Sequence, residues 1–178
     1  MTRKRNANSR IAVHLKNSII PIILTALTVS ILVLLLEYLN FDLHYGNGSS
    51  VIIFASFGVS AYLLFMLPRS RVSKIRGFVK SYIFAIIAGI LGFYMLGFLP
   101  IYVVAGIVVF LVSVMISIGN ALHPPAVGIS LAFVFFSIGV DGIAVVLLGM
   151  LILLFLRLVL ERFIYTVEKD IEWNTRRR

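Results

Sequence analysis

Six runs of almost purely apolar residues divide the chain: Ser18 to Leu39, Val51 to Leu67, Phe78 to Phe98, Ile101 to Ile118, Ala126 to Val140 and Ile143 to Leu160. A helix needs about 20 residues to cross roughly 30 Å of hydrocarbon. Each run is apolar on all sides, whereas a membrane β-strand alternates in polarity with a period of two. The pattern therefore predicts an all-α membrane protein with six transmembrane helices. Phe98-Leu99-Pro100-Ile101 and the Asp141-Gly142 step are very short connections, so two pairs of spans form tight hairpins.

Polar positions orient these spans. Five cations precede the first run, five more lie between Arg69 and Lys80, and six follow from Arg157 onward. With both termini in the cytoplasm, all 16 Lys and Arg fall on that side of the cell membrane. Glu37, Asp42 and Asp141 fall on the other, as the positive-inside rule requires. Lys80 and Arg157 lie near cytoplasmic helix ends, where a long side chain is expected to snorkel to the headgroups. The expected organisation is a basic N-terminal segment (1–17), a six-helix domain (18–160) and a charged C-terminal tail (161–178). The first run is longer than the roughly 7–15 residues of a signal-peptide core and lacks an A-x-A site, so it is expected to remain as a span.

Composition agrees, since 61% of residues are hydrophobic and the mean hydropathy is +1.07. A soluble domain carries roughly 45–50% apolar residues. The net charge of +9 would raise the question of nucleic acid in a soluble protein. Here the cations flank the spans, so topology explains them and no nucleic-acid partner is expected. The absence of cysteine excludes disulfides, thiolate catalysis and Cys-ligated metals. No HExxH, paired intramembrane carboxylates, Ser–His–Asp set or phosphate loop occurs, so neither an enzyme, a metal nor a cofactor is expected.

A shift of 70 residues aligns Gly58-Val59-Ser60 with Gly128-Ile129-Ser130, and Phe65 with Phe135. Three spans per half would make the second half enter the membrane inverted, giving a 3+3 inverted repeat like that of many transporters. The matched second and fifth spans are also the shortest. Asn47-Gly48 precedes one, and Gly119-Asn120 followed by His123-Pro124-Pro125 precedes the other. Prolines suit a first helical turn. A helix N-terminus at membrane depth offers unpaired N–H groups and partial positive charge to an anion. The candidate site thus lies between the starts of the second and fifth helices, at Ser56, Gly58, Ser60, Asn120, His123, Gly128 and Ser130.

Each of these residues also has a plainer reading. Serines glue helices together or bond back to their own carbonyls, prolines make a sharp turn, and a histidine can cap a helix. Ser113, Ser117 and Asn120 recur at helical spacing and are expected to form a polar stripe running toward His123, while Ser130 and Ser137 share a face of the fifth helix. Ser81, Ala85, Ala88 and Gly92 read as a packing stripe, with Gly106 and Gly149 in the same role. His123, with an ordinary pKa of ~6.5, would suit a proton relay.

The run Asn120-Ala121-Leu122-His123-Pro124-Pro125-Ala126 resembles the signature of the HPP family of integral membrane proteins. Phe57-Gly58-Val59-Ser60-Ala61, Leu64-Phe65 and Pro68-x-Ser70 resemble that family's Phe-Gly-Ala-Ser-Ala block and the Pro-x-Ser after it. The likeness covers roughly Ser49 to Leu160. It departs at Ser73-Lys74-Ile75-Arg76-Gly77, where members have Ala-Gln-Pro-Arg-Asn, and at Val127-Gly128, where Gly-Ala is usual. Some members in photosynthetic lineages are linked to nitrite transport, so the resemblance implies a transporter or channel for nitrite or a similar small monovalent anion. The expected partners are the lipid bilayer and that anion, with self-association into a homo-oligomer left open. A non-transporting accessory subunit is the other reading.

Overall fold

A computed structural model describes residue 19, residues 21–34 and residues 49–176. The N-terminal basic segment, the loop containing Glu37, Asp42 and His44, and the Asn47-Gly48 step lie outside the described residues. Every described regular element is helical: α1 (Pro21–Leu34), α2 (Ser49–Met66), α3 (Ile75–Met95), α4 (Ile101–Ile118), α5 (Pro125–Phe135) and α6 (Asp141–Arg176). A single 3-10 turn, Arg71–Ser73, links α2 to α3. Among the described residues three helices are long and apolar enough to cross a membrane, α3, α4 and the Gly142–Val159 stretch of α6; Pro21–Leu34, Ile53–Met66 within α2, and Pro125–Phe135 are shorter apolar stretches.

The expected boundaries hold for α4 and shift elsewhere for local reasons. α3 starts at Ile75 and stops at Met95, where Leu96, Gly97 and Phe98 wind into turns that return Leu99 N–H to the Met95 carbonyl at 3.0 Å. α6 continues past Leu160 to Arg176, because no Gly or Pro follows Gly149 to break it. The fifth run loses its last third. α5 ends at Phe135, Phe136 has φ −112° and Ser137 has φ 50°, so Ser137 does not share a helix face with Ser130. Gly139 and Gly142 follow, and Gly142 N–H closes a turn onto the Gly139 carbonyl at 3.1 Å. The 11 residues of α5 rise only about 16 Å.

α5 is nevertheless the centre of the bundle, packed against α2, α3 and α4. It is apolar all round, as a fully enclosed helix is, and Ala126, Ile129, Ser130, Ala132 and Phe133 are completely buried. Lipid tails are as apolar as leucine, so helices associate by close fit, and small residues permit it. The stripe Ser81, Ala85, Ala88 and Gly92 is buried as expected. A Cβ on Gly89 would stand 2.6 Å from the Phe133 ring, and one on Gly92 2.8 Å from Val134. Gly149 of α6 accepts the Phe57 ring in the same way, whereas Gly106 faces open space and packs against nothing within 4 Å.

Contacts along the helices fix their directions. Ser60 meets His123 while Ser56 meets Gly128, so α2 and α5 are antiparallel. Phe78 meets His123 and Gly89 meets Phe133, so α3 and α5 are parallel. Phe57 meets Gly149 and Leu64 meets Arg157, so α2 and α6 are parallel. With the tight α3–α4 hairpin, successive helices from α2 to α6 alternate in direction. The α2–α3 and α4–α5 loops therefore emerge at the same end.

Arg157 corrects the snorkelling expectation. It is only 3% exposed, and its guanidinium donates to the carbonyls of Leu64 at 2.9 Å and Pro68 at 3.3 Å and to Glu161 at 2.6 Å. The last carbonyls of a helix lack partners within it and carry partial negative charge. A planar fork of donors serves several of them at once. Arg157 thus ties the end of α2 to α6, while Lys80 remains exposed.

Candidate functional site

The site grows from the way α4 stops. Gly119 is the C-cap, and Asn120 adopts φ 48°. Asn120 N–H bonds the Ser117 carbonyl at 3.3 Å, and Ala121 N–H bonds the Ile116 carbonyl at 2.9 Å. This is a Schellman ending, with asparagine in the left-handed position that glycine usually takes. The reversal exposes the Asn120 side chain, which accepts a hydrogen bond from Arg71 at 2.8 Å. It also turns Ala121 and His123 into the bundle, where both are completely buried.

His123 occupies a closed polar chain. Its Nδ1 lies 2.8 Å from the Val72 carbonyl, which can only accept, so Nδ1 carries the hydrogen. In the neutral ring Nε2 then accepts from the Ser60 hydroxyl at 3.0 Å, and Ser60 Oγ accepts from the Tyr82 hydroxyl at 2.7 Å. Aromatic rings enclose these groups: Phe78 meets His123 edge-on at 5.0 Å, and Phe57 stacks on Tyr82 at 5.8 Å. Burial lowers His123, which lies in the loop before α5, to a pKa of about 4, with the Val72 hydrogen bond opposing the shift in part. A neutral ring that donates from one nitrogen and accepts at the other fastens the α4–α5 loop to α2, α3 and the α2–α3 loop.

The other sequence-selected residues distribute unevenly. Ser56 is buried and faces Gly128, where a Cβ would collide with its hydroxyl. Ser56, Ser60, Gly128 and His123 thus form one polar seam between α2 and α5, and Asn120 marks its rim. Ser130 Oγ donates to the Val127 carbonyl of its own helix at 2.8 Å. Gly58 faces Val29 of α1, away from the seam. Ser113 and Ser117 are exposed, because the buried face of α4 is Val104, Val108, Val112 and Ile116. Tyr82 and Arg71 join the site without having been singled out. The signal for Tyr82 was a hydroxyl inside an apolar run, which needs a partner when buried.

The two helix starts do not converge on a shared anion site. α2 is unbroken from Ser49 to Met66, so the N–H groups of residues 56–60 are committed to the helix. Pro124 and Pro125 have no N–H, and the next two donors, of Ala126 and Val127, bond the carbonyls of His123 and Pro124 at 3.2 and 3.1 Å. Because α2 and α5 are antiparallel, their N-termini point to opposite ends.

Positive charge is supplied instead by side chains. A cleft of about 370 Å³ lies between the start of α3 and the α4–α5 turn, lined by Arg71, Lys74, Arg76, Lys80, Asn120 and Leu122 among others. No Asp or Glu occurs between residues 43 and 140.

A bundle of apolar helices with an internal polar seam that ends beside a basic cleft defines an integral membrane protein. The chain belongs to the HPP transmembrane family: its residues 13–169 match the model described as HPP, transmembrane region. No curated protein and no solved structure matches the chain.

Proposed function

We propose that this protein moves a small inorganic anion, nitrite or a similar monovalent ion, across the cell membrane, with both termini and the basic cleft in the cytoplasm. The observation that carries this reading is the hydrogen-bonded polar seam of Ser60, Tyr82 and His123, with Ser56 beside it, inside a mainly apolar bundle and ending beside four cations. An ionisable group buried in a membrane bundle, as His123 is, is expensive and marks a pathway by default. Cations at the mouth raise the local concentration of anions, and the paired backbone donors leave this task to Arg71, Lys74, Arg76 and Lys80. The seam is tightly packed, so passage requires α2 and α5 to separate there. No reaction is assigned to the protein.

The inverted repeat belongs to the same reading. Exchanging the first three helices with the last three turns the α2–α6 pair into the α5–α3 pair, and both pairs run parallel and in contact. Gly58 and Gly128, in contrast, meet different helices, so the likeness would lie in helix arrangement more than in glycine position.

The test is flux in proteoliposomes of nitrite, nitrate, formate and chloride, with and without a proton gradient. Nitrite flux above that of protein-free liposomes is expected. Gradient-independent downhill flux identifies a channel and gradient-driven accumulation a coupled transporter, while no flux of any of these ions removes the transport reading.

A further inference from the structure

We propose that the basic cleft holds the phosphate of an anionic phospholipid, a site that does not depend on the transport reading. The first argument is charge. Arg71, Lys74, Arg76 and Lys80 line one cavity whose described lining holds no acidic residue, and no Asp or Glu occurs from 43 to 140. Arg157 already engages Glu161 of α6. About 370 Å³ is far more room than one small monovalent ion fills. A phosphate accepts several charge-assisted hydrogen bonds at once. Lys74 gives α3 no side-chain cap, so first-turn N–H groups add to the same preference.

The second argument selects a lipid over a soluble phosphate. Along α3 the exposed positions are Arg76, Lys80, Ile83, Ile87, Leu91 and Tyr94, spaced by three or four and so on one helix face. This face passes from cations at the cleft directly into an apolar stripe. A phospholipid has that order of chemistry, with a charged headgroup above acyl chains. Leu122 lines the cleft at 43% exposure and offers an apolar contact to the glycerol region.

The test titrates short-chain phosphatidylglycerol onto the full chain in neutral detergent micelles and reads thermal stabilisation, with phosphatidylcholine and inorganic phosphate as parallel arms. Phosphatidylglycerol should stabilise and phosphatidylcholine should not. The Lys74→Gln/Arg76→Gln variant should bind about 5- to 30-fold more weakly, at roughly 1 kcal/mol for each cation. Lys80→Gln repeats the test with a single exposed change. Lys4→Gln/Arg5→Gln removes equal charge from the basic N-terminal segment and should leave binding unchanged. Equal weakening by Lys4→Gln/Arg5→Gln reduces the effect to general leaflet attraction and overturns the site. Equal response to both lipids, or stabilisation by inorganic phosphate without phosphatidylglycerol, overturns the lipid assignment. Because no flux is measured, failure here leaves the transport reading untouched.

Discussion

Replacing His123 with Phe keeps an aromatic ring in its enclosed place but removes both ring nitrogens. The Val72 carbonyl, 2.8 Å away, then loses its donor, and the Ser60 hydroxyl, 3.0 Å away, loses its acceptor. A buried polar group left unpaired costs about 1–3 kcal/mol, and Ser60 can recover part of that by bonding back to its own helix. His123→Phe should therefore destabilise by roughly 2–4 kcal/mol. Ser60→Ala strands His123 Nε2 and the Tyr82 hydroxyl and should lose roughly 1–3 kcal/mol. In the double variant the two mutually bonded groups are gone together. Its loss should fall short of the sum by about 0.5–2 kcal/mol, the range found for hydrogen bonds between membrane helices. Unfolding of micelle-solubilised protein followed by far-ultraviolet circular dichroism supplies the four stabilities. Losses that add to within about 0.3 kcal/mol would show that Ser60 and His123 are not coupled and would refute the closed chain.

The same histidine predicts a pH dependence. Its folded pKa of about 4 lies below its ordinary value of about 6.5, so protons favour the unfolded chain. Stability should be fully present above pH ~6.5 and fall by up to roughly 3 kcal/mol toward pH ~4, and His123→Phe should flatten that slope in the same unfolding assay. Arg157→Leu, which strips Leu64, Pro68 and Glu161 of their shared donor, should destabilise by about 2–4 kcal/mol. Arg157→Lys should rescue only part of this, because a single ammonium cannot span the three acceptors; full rescue would rule out the fork. Gly92→Val inserts bulk where a Cβ already lies 2.8 Å from Val134 and should lose at least about 1–3 kcal/mol. Gly106→Val, facing open space, should leave the unfolding midpoint near that of the parent chain.

Hydrophobic runs revealed the helices, since they need only one-dimensional information, and α4 matches its run at both ends. Ends set by backbone torsion were harder to read. The run through Val140 looks continuous, yet the left-handed Ser137 and the turn between Gly139 and Gly142 stop α5 early. The His-Pro-Pro block marked the loop that carries the buried histidine but not that loop's hydrogen bonds. Sequence spacing cannot show that prolines and 3-10 bonds use up the donors of α5, or that its partner α2 is antiparallel. Arg157 departs from its expected place for a related reason: a cation near a helix end snorkels unless a neighbouring helix presents bare carbonyls, and that neighbour lies 93 positions away in the chain.

Transport through the seam is tested most directly by blocking its mouth in a protein already folded. The chain contains no cysteine, so Leu122→Cys, at the cleft, and Ile118→Cys, 82% exposed at the end of α4, each introduce a single thiol. Nitrite flux is measured in proteoliposomes before and after modification with a bulky methanethiosulfonate reagent, and again after reduction. Modification at Leu122→Cys should remove most of the flux, reduction should restore it, and modification at Ile118→Cys should change little. No flux above that of protein-free liposomes before modification, or full flux with Leu122→Cys blocked, would contradict passage through this site.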